Sequence, residues 1–207
     1  MTSRSPFRRH GGIRLWLPFN LIVGLLFAPR VFAQESVFIL DPAKSTVEFT
    51  LGASLHTVHG TFKLKSGEVH FDPAKGTASG AIVVDALSGE SGNEGRDKKM
   101  HREILESPKF SEVVFVPIHI EGTVAPQGTS QVAVSGIMKL HGQDHEMILN
   151  FALQPGTSGQ EQATTRFSMP YVKWGLKNPS TFILRVSESV DIDVHASGQL
   201  TSAPSRH

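Results

Sequence analysis

Apolar and polar residues alternate one for one along most of this chain, and a period of two leaves little besides β-sheet with one buried face. In Ser45–Leu51, Val47, Phe49 and Leu51 share one side while Thr46, Glu48 and Thr50 share the other. Val58, Gly60, Phe62 and Leu64 alternate with His59, Thr61, Lys63 and Lys65, and Val69 and Phe71 with Glu68, His70 and Asp72. Near the C-terminus Val190, Ile192, Val194 and Ala196 interleave with Asp191, Asp193 and His195. Further candidate strands cover 77–87, 112–121, 131–140, 146–153, 163–169 and 189–200, and Lys65-Ser-Gly67 reads as a turn. About eight to ten short strands separated by turn residues predict a sandwich or an antiparallel barrel.

The first 33 residues stand apart. Arg4, Arg8, Arg9 and Arg14 precede the apolar run Leu15–Ala28, and Val31-Phe-Ala33 places small or β-branched residues where a signal peptidase cuts. The expected domains are therefore a signal peptide over 1–33, a barrel over 34–200 and a polar tail over 201–207, with a periplasmic or secreted location. An uncleaved anchor is the alternative, although Pro18 and Asn20 interrupt a run already short of the roughly 20 residues of a spanning helix. Without the leader, 15 basic residues face 19 acidic ones, a balance of −4 that argues against nucleic acid as a partner. There is no cysteine, so an exported chain must rely on burial and strand pairing rather than disulfides.

One segment breaks the β pattern. Residues 92–106, GNEGRDKKMHREILE, hold eight charges and a histidine in fifteen positions. As a helix they place Met100 and Ile104 on one face, with Ser91 or Asn93 as cap and Ser107-Pro108 as the stop. Ala81–Val84, Val113–Val116 and Met147–Leu149 are apolar on both faces, so this helix is expected to cover the outside or one end of the barrel.

Catalytic and metal signals are thin. His56 and His59 lie three apart on a strand and point to opposite faces. His141 and His145 flank a hairpin loop of Gly142, Gln143 and Asp144 that could bring the rings together, yet two ligands do not make a zinc site. No serine sits in a nucleophile elbow, Asp191 and Asp193 share a solvent face, and no phosphate loop or dinucleotide fingerprint is present. No catalytic residue, no metal ligand and no cofactor is expected. Inward aromatics (Phe49, Phe62, Phe71, Phe151, Phe167) alternate with Gly60, Gly80, Gly136 and the flexible Met100 and Met138. That mixture fits either an elongated apolar cavity or a filled core.

Several segments, in order and spacing, resemble the YceI-like family of exported polyisoprenoid-binding proteins. They are Asp41-Pro-Ala-Lys-Ser45, His56-Thr-Val-His-Gly-Thr-Phe62, Gly67-Glu-Val-His-Phe-Asp72 and Arg96-Asp-Lys-Lys-Met-His101 leading into Glu106-Ser-Pro-Lys-Phe110. Val134–Gly142 and Tyr171–Ser180 follow, the last with Lys173-Trp174-Gly175 where the family often has Arg-Asp-Phe-Gly. The resemblance implies an extended, lipocalin-like antiparallel β-barrel of about eight strands with one short α-helix in a strand connection. Its lumen would hold a long-chain isoprenoid lipid, a polyprenyl or quinone-like molecule, as carrier, store or scavenger and with no cofactor beyond that lipid. The expected lumen residues are Phe49, Leu51, Val58, Phe62, Met100, Ile104, Phe115, Val134, Met138, Phe151 and Phe167, and the expected head-group contacts are His56, Lys98, His101 and Trp174. A transient contact with a membrane surface and a monomeric or homodimeric state complete the expectation. The competing readings are a small periplasmic enzyme using His141 and His145, a lipid-loaded interaction module, and an outer-membrane barrel. Against the last stand outward Glu48, Lys63, Lys65, Glu68, Asp191 and Asp193.

Overall fold

The computed structural model describes Thr2 and residues 35–125, 127–156 and 159–202. The expected signal peptide and most of the C-terminal tail lie outside the described residues. The strands are β1 (Ser36–Leu40), β2 (Thr46–Gly52), β3 (Thr57–Asp72), β4 (Thr77–Glu90), β5 (Glu112–Gly122), β6 (Ser130–Leu140), β7 (Gln143–Pro155), β8 (Gln160–Met169) and β9 (Val190–Ser202). Every pairing is antiparallel, and β2 to β9 follow one another around a closed ring. β9 meets β2 through Val47↔Val194 and Phe49↔Ile192, which closes the eight-stranded barrel.

β1 adds no ninth member to that ring. It pairs with β3 and β9 farther along the line of β2, and residues 41–45 join the two pieces. Asp41 caps the single turn Pro42–Lys44 by accepting from the Ala43 N–H, and the Ser45 hydroxyl accepts from the Ser197 N–H at 3.0 Å. The Asp-Pro-Ala-Lys-Ser segment thus folds a loop out of the wall while a buried hydroxyl keeps the ladder satisfied.

The expected turn at Lys65–Gly67 is not formed. β3 runs straight through, with a register shift between Leu64 and Ser66. The glycine serves close approach instead, since a Cβ on Gly67 would lie 2.9 Å from the Leu40 Cβ. Gly60 and Gly136 have the same use inside the barrel. A Cβ on Gly60 would stand 2.4 Å from the Phe49 ring, and one on Gly136 would stand 2.9 Å from the Phe115 ring. The Phe49 and Phe115 rings therefore come close to bare backbone at these two glycines. Gly80, opposite Val69 and between Ala78 and Ile82 on β4, has φ 104° and lies close to the Glu68 carbonyl.

β7 pairs with β8 only from Ala152↔Thr164 to Pro155↔Glu161. Toward the other end the two strands part, and the segment after β8 lies against β7, with the Trp174 and His145 rings stacked 4.2 Å apart and 3° from parallel. There Leu140, Tyr171 and Leu176 form a second small core that Ile104 and Leu105 also join. The helix-bearing connection, the 53–56 turn, the β6–β7 hairpin and the 170–189 segment all lie at this end of the barrel.

Candidate functional site

The barrel is hollow. A cavity of about 640 Å3 follows its axis, in the range of small-molecule sites. Side chains from every strand of the ring line it, and all eleven expected lumen residues are among them. The five inward positions of β8 show the gradation along the axis, with Glu161, Ala163, Thr165, Phe167 and Met169 all facing the space. Apart from Thr165 in the middle of β8, the polar lining is confined to the two ends.

At the helix end stand His56, Ser91, Arg96, Lys99 and Tyr171, and at the far end, among the described residues, Glu161. Asn93 caps helix α1 (Glu94–Lys99), its side chain accepting from the Arg96 N–H at 3.0 Å. The helix continues as one π turn over Met100–Ile104, closed by the Leu105 N–H on the Met100 carbonyl. Arg96, Met100 and Ile104 recur every fourth residue and all line the cavity, which makes the helix a stopper on one end rather than a cover for the outside. Ile148 accordingly remains 65% exposed on the outer wall.

The expected head-group residues scatter. His56 lines the cavity. Lys98 points away from it, paired with Glu94 at 2.5 Å on the exposed side. His101 bridges the helix to the barrel, with Nδ1 2.7 Å from the Ser107 hydroxyl and Nε2 2.8 Å from the Gly89 carbonyl oxygen. Trp174 sits on His145, outside the lining. Arg96 and Lys99 are the cations that line the lumen among the described residues. The signal that could have found them is the four-residue spacing of Arg96 from Met100 and the three-residue spacing of Lys99 from Arg96, combined with stems long enough to lie along apolar wall.

Two pKa shifts follow from this environment. Burial, and secondarily the Glu188 carboxylate, pushes the Tyr171 phenol up to about 12, and its hydroxyl donates to the Ser187 carbonyl at 2.7 Å. Desolvation raises Glu161, so the neutral acid is favoured there more than in water. Tyr171 is the only tyrosine, so the tyrosinate absorption band reports it alone. The folded protein should show no ionisation near pH 10, where the unfolded chain titrates. The stability this shift contributes is complete below pH 10 and is lost as pH rises toward about 12.

His141 and His145 do not converge. The β6–β7 turn is the two-residue pair His141-Gly142, both at positive φ, so Gln143 and Asp144 already belong to β7. The His141 ring packs on Phe110 at 4.4 Å while His145 stacks on Trp174, so each imidazole has its own aromatic neighbour. Among the described residues no cluster of three or more metal-binding side chains exists, and no helix is long and apolar enough to cross a membrane.

A YceI-like domain matches residues 38–197, the whole barrel and little else. The chain belongs to the YceI-like family. A UPF0312 protein of Vibrio cholerae serotype O1 is 29% identical over 189 residues, spanning 86% of this chain and 92% of that relative. Among solved structures, Burkholderia cenocepacia BcnA covers 76% of this chain and 98% of its own at 20% identity, with a TM-score of 0.63. A polyisoprenoid binding domain from Saccharophagus degradans, implicated in plant cell wall breakdown, covers 79% and 98% at 16% identity and a TM-score of 0.59. The Campylobacter jejuni YCEI protein covers 72% and 86% at 15% identity and 0.54. At these identities the structural likenesses establish the YceI-like fold, and the lumen chemistry rests on this chain's own side chains.

Proposed function

We propose that this YceI-like barrel is an exported, non-enzymatic lipid-binding protein that holds a long-chain isoprenoid in its lumen as carrier, store or scavenger. The observation that carries the reading is the axial cavity of about 640 Å3 with an almost wholly apolar wall. An apolar chain gains roughly 4 kcal/mol for each five-carbon unit transferred from water, at about 0.8 kcal/mol per carbon, without any directed contact. The polyisoprenoid binding domain from Saccharophagus degradans, with the same fold, supports a branched unsaturated chain over other apolar ligands.

The ends set the ligand's direction. Arg96 and Lys99 favour an anionic or strongly hydrogen-bond-accepting head at the helix end, and Glu161 disfavours an anion at the other. Native mass spectrometry of protein recovered from its host, followed by organic extraction, should reveal a bound isoprenoid. An empty barrel that takes up no added polyprenyl lipid would overturn the reading. Lys99→Gln should weaken a polyprenyl phosphate about fivefold while leaving the matching polyprenol within twofold, the difference expected for one partly screened charge contact. Equal losses for both ligands would place the head elsewhere.

A further inference from the structure

The segment between β8 and β9 ends in an apolar knob that nothing in the barrel covers. Phe182 is 97% exposed and Ile183 80%, and Leu55 in the facing turn is 72% exposed. Adjacent large apolar side chains presented this fully are unusual on a soluble surface and mark a contact site. The knob is built rather than loose. Thr181 and Leu184 close its tip through the Thr181 N–H on the Leu184 carbonyl at 2.8 Å and the Leu184 N–H on the Thr181 hydroxyl at 3.0 Å. Its base is bound to the β2–β3 turn by the Ser54 N–H on the Arg185 carbonyl at 2.8 Å, the Arg185 N–H on the Ser54 hydroxyl at 3.2 Å and the bridge Ala53↔Val186.

Two further observations say what covers it. The same short segments line the lumen, through Leu184 and Val186 on one side and Ala53 and His56 on the other, so apolar surface continues from the knob into the cavity. The charge also changes sign here. The 20 lysines and arginines less the six outside residues 35–202 leave 14 against 19 carboxylates, yet residues 170–189 hold Lys173, Lys177 and Arg185 against Glu188 alone. All three cations are exposed, Lys177 with its ammonium 3.9 Å from the Glu103 carboxylate on the helix. Three apolar side chains cannot supply the roughly 800 Å2 per partner of a stable protein interface. A few inserted side chains with cations on the same segment are, in contrast, sufficient for reversible attachment to an anionic bilayer.

We propose that Phe182, Ile183 and Leu55 dock the helix end of the barrel onto an anionic lipid bilayer, with Lys173, Lys177 and Arg185 against its head groups. The cavity mouth then faces the membrane, and a lipid can pass between bilayer and lumen along Leu184 and Val186 without crossing water.

The test is co-sedimentation of the protein, as recovered from its host, with vesicles of phosphatidylcholine alone or mixed two to one with phosphatidylglycerol. Wild type should sediment with the mixed vesicles and lose binding as salt is raised. Phe182→Ser with Ile183→Ser should weaken that binding at least about tenfold, and Arg185→Gln about fivefold on mixed vesicles only, the worth of one cation near such a surface. Both changes lie on exposed side chains, so the thermal midpoint should match wild type. Equal sedimentation of wild type and the double variant would overturn the proposal, as would a wild type that ignores both vesicles. A double variant whose only change is lost self-association in the ultracentrifuge would make the knob a contact between copies and overturn it equally. None of these results bears on whether the lumen holds lipid, which the extraction decides separately.

Discussion

Replacing Ala163 and Ala196 with phenylalanine should remove lipid uptake while leaving the barrel folded. The two alanines are cross-strand partners on β8 and β9, each 7% exposed, and both line the cavity. Their methyl groups are among the smallest side chains on the wall, so two rings placed there project into open space rather than into packed neighbours. Overpacking ordinarily costs 1–3 kcal/mol because something must move, but here the added atoms enter a cavity and bury apolar surface. The thermal midpoint should stay the same or rise. A bound isoprenoid displaced by even one unit forfeits roughly 4 kcal/mol, so affinity should fall by at least about 100-fold. Titration with a fluorescent polyprenyl analogue reads this directly. Unchanged affinity would put the ligand outside the lumen, and a large fall in the thermal midpoint would show that the space is already occupied by wall side chains.

This distinction between hollow and filled was the point the sequence left open. Alternation locates the strands because a half-buried sheet requires it, and β2 and β9 appear with their registers almost complete. It says nothing about how far opposite walls stand apart. That distance follows from strand number and from details such as Phe49 lying over Gly60, which need the neighbouring strand to be known. β1 was missed for the opposite reason. Val37-Phe-Ile-Leu40 is an unbroken apolar run with no period, and it sits beside the expected cleavage site. Lys65-Ser-Gly67 read as a turn because glycine was credited with flexibility, when its role is to let Leu40 close in. Arg96 and Lys99 were hidden by their charge. The stripe of Arg96 with Met100 was visible, but cations are assigned to solvent unless the surface they lie along is known.

Replacing His101 with alanine should be the most damaging single change in the charged 92–106 segment, although the segment's surface charges suggest that the salt bridges matter most. The imidazole joins the hydroxyl of Ser107, a residue with no exposed surface, to the backbone carbonyl of Gly89 on β4. Truncation leaves a buried hydroxyl and a carbonyl unpaired, at about 1–3 kcal/mol each. A loss of about 3 kcal/mol should lower the thermal midpoint by roughly 10 °C in a domain of this size. By comparison Lys98→Gln breaks the exposed pair with Glu94, whose side chains are 71% and 83% accessible, and should change stability by less than about 0.5 kcal/mol. The His101 change should also reach the ligand, because the same helix carries Arg96, Lys99, Met100 and Ile104 into the end of the cavity. Amide hydrogen exchange separates the two effects. If His101 anchors the stopper, exchange over residues 94–105 should quicken more than in β6, and bound lipid should dissociate faster. Exchange that quickens uniformly through the barrel would instead make His101 part of the general core. A His101→Ala protein as stable as Lys98→Gln would show that Ser107 and Gly89 find other partners and that the helix is held by Met100 and Ile104 alone.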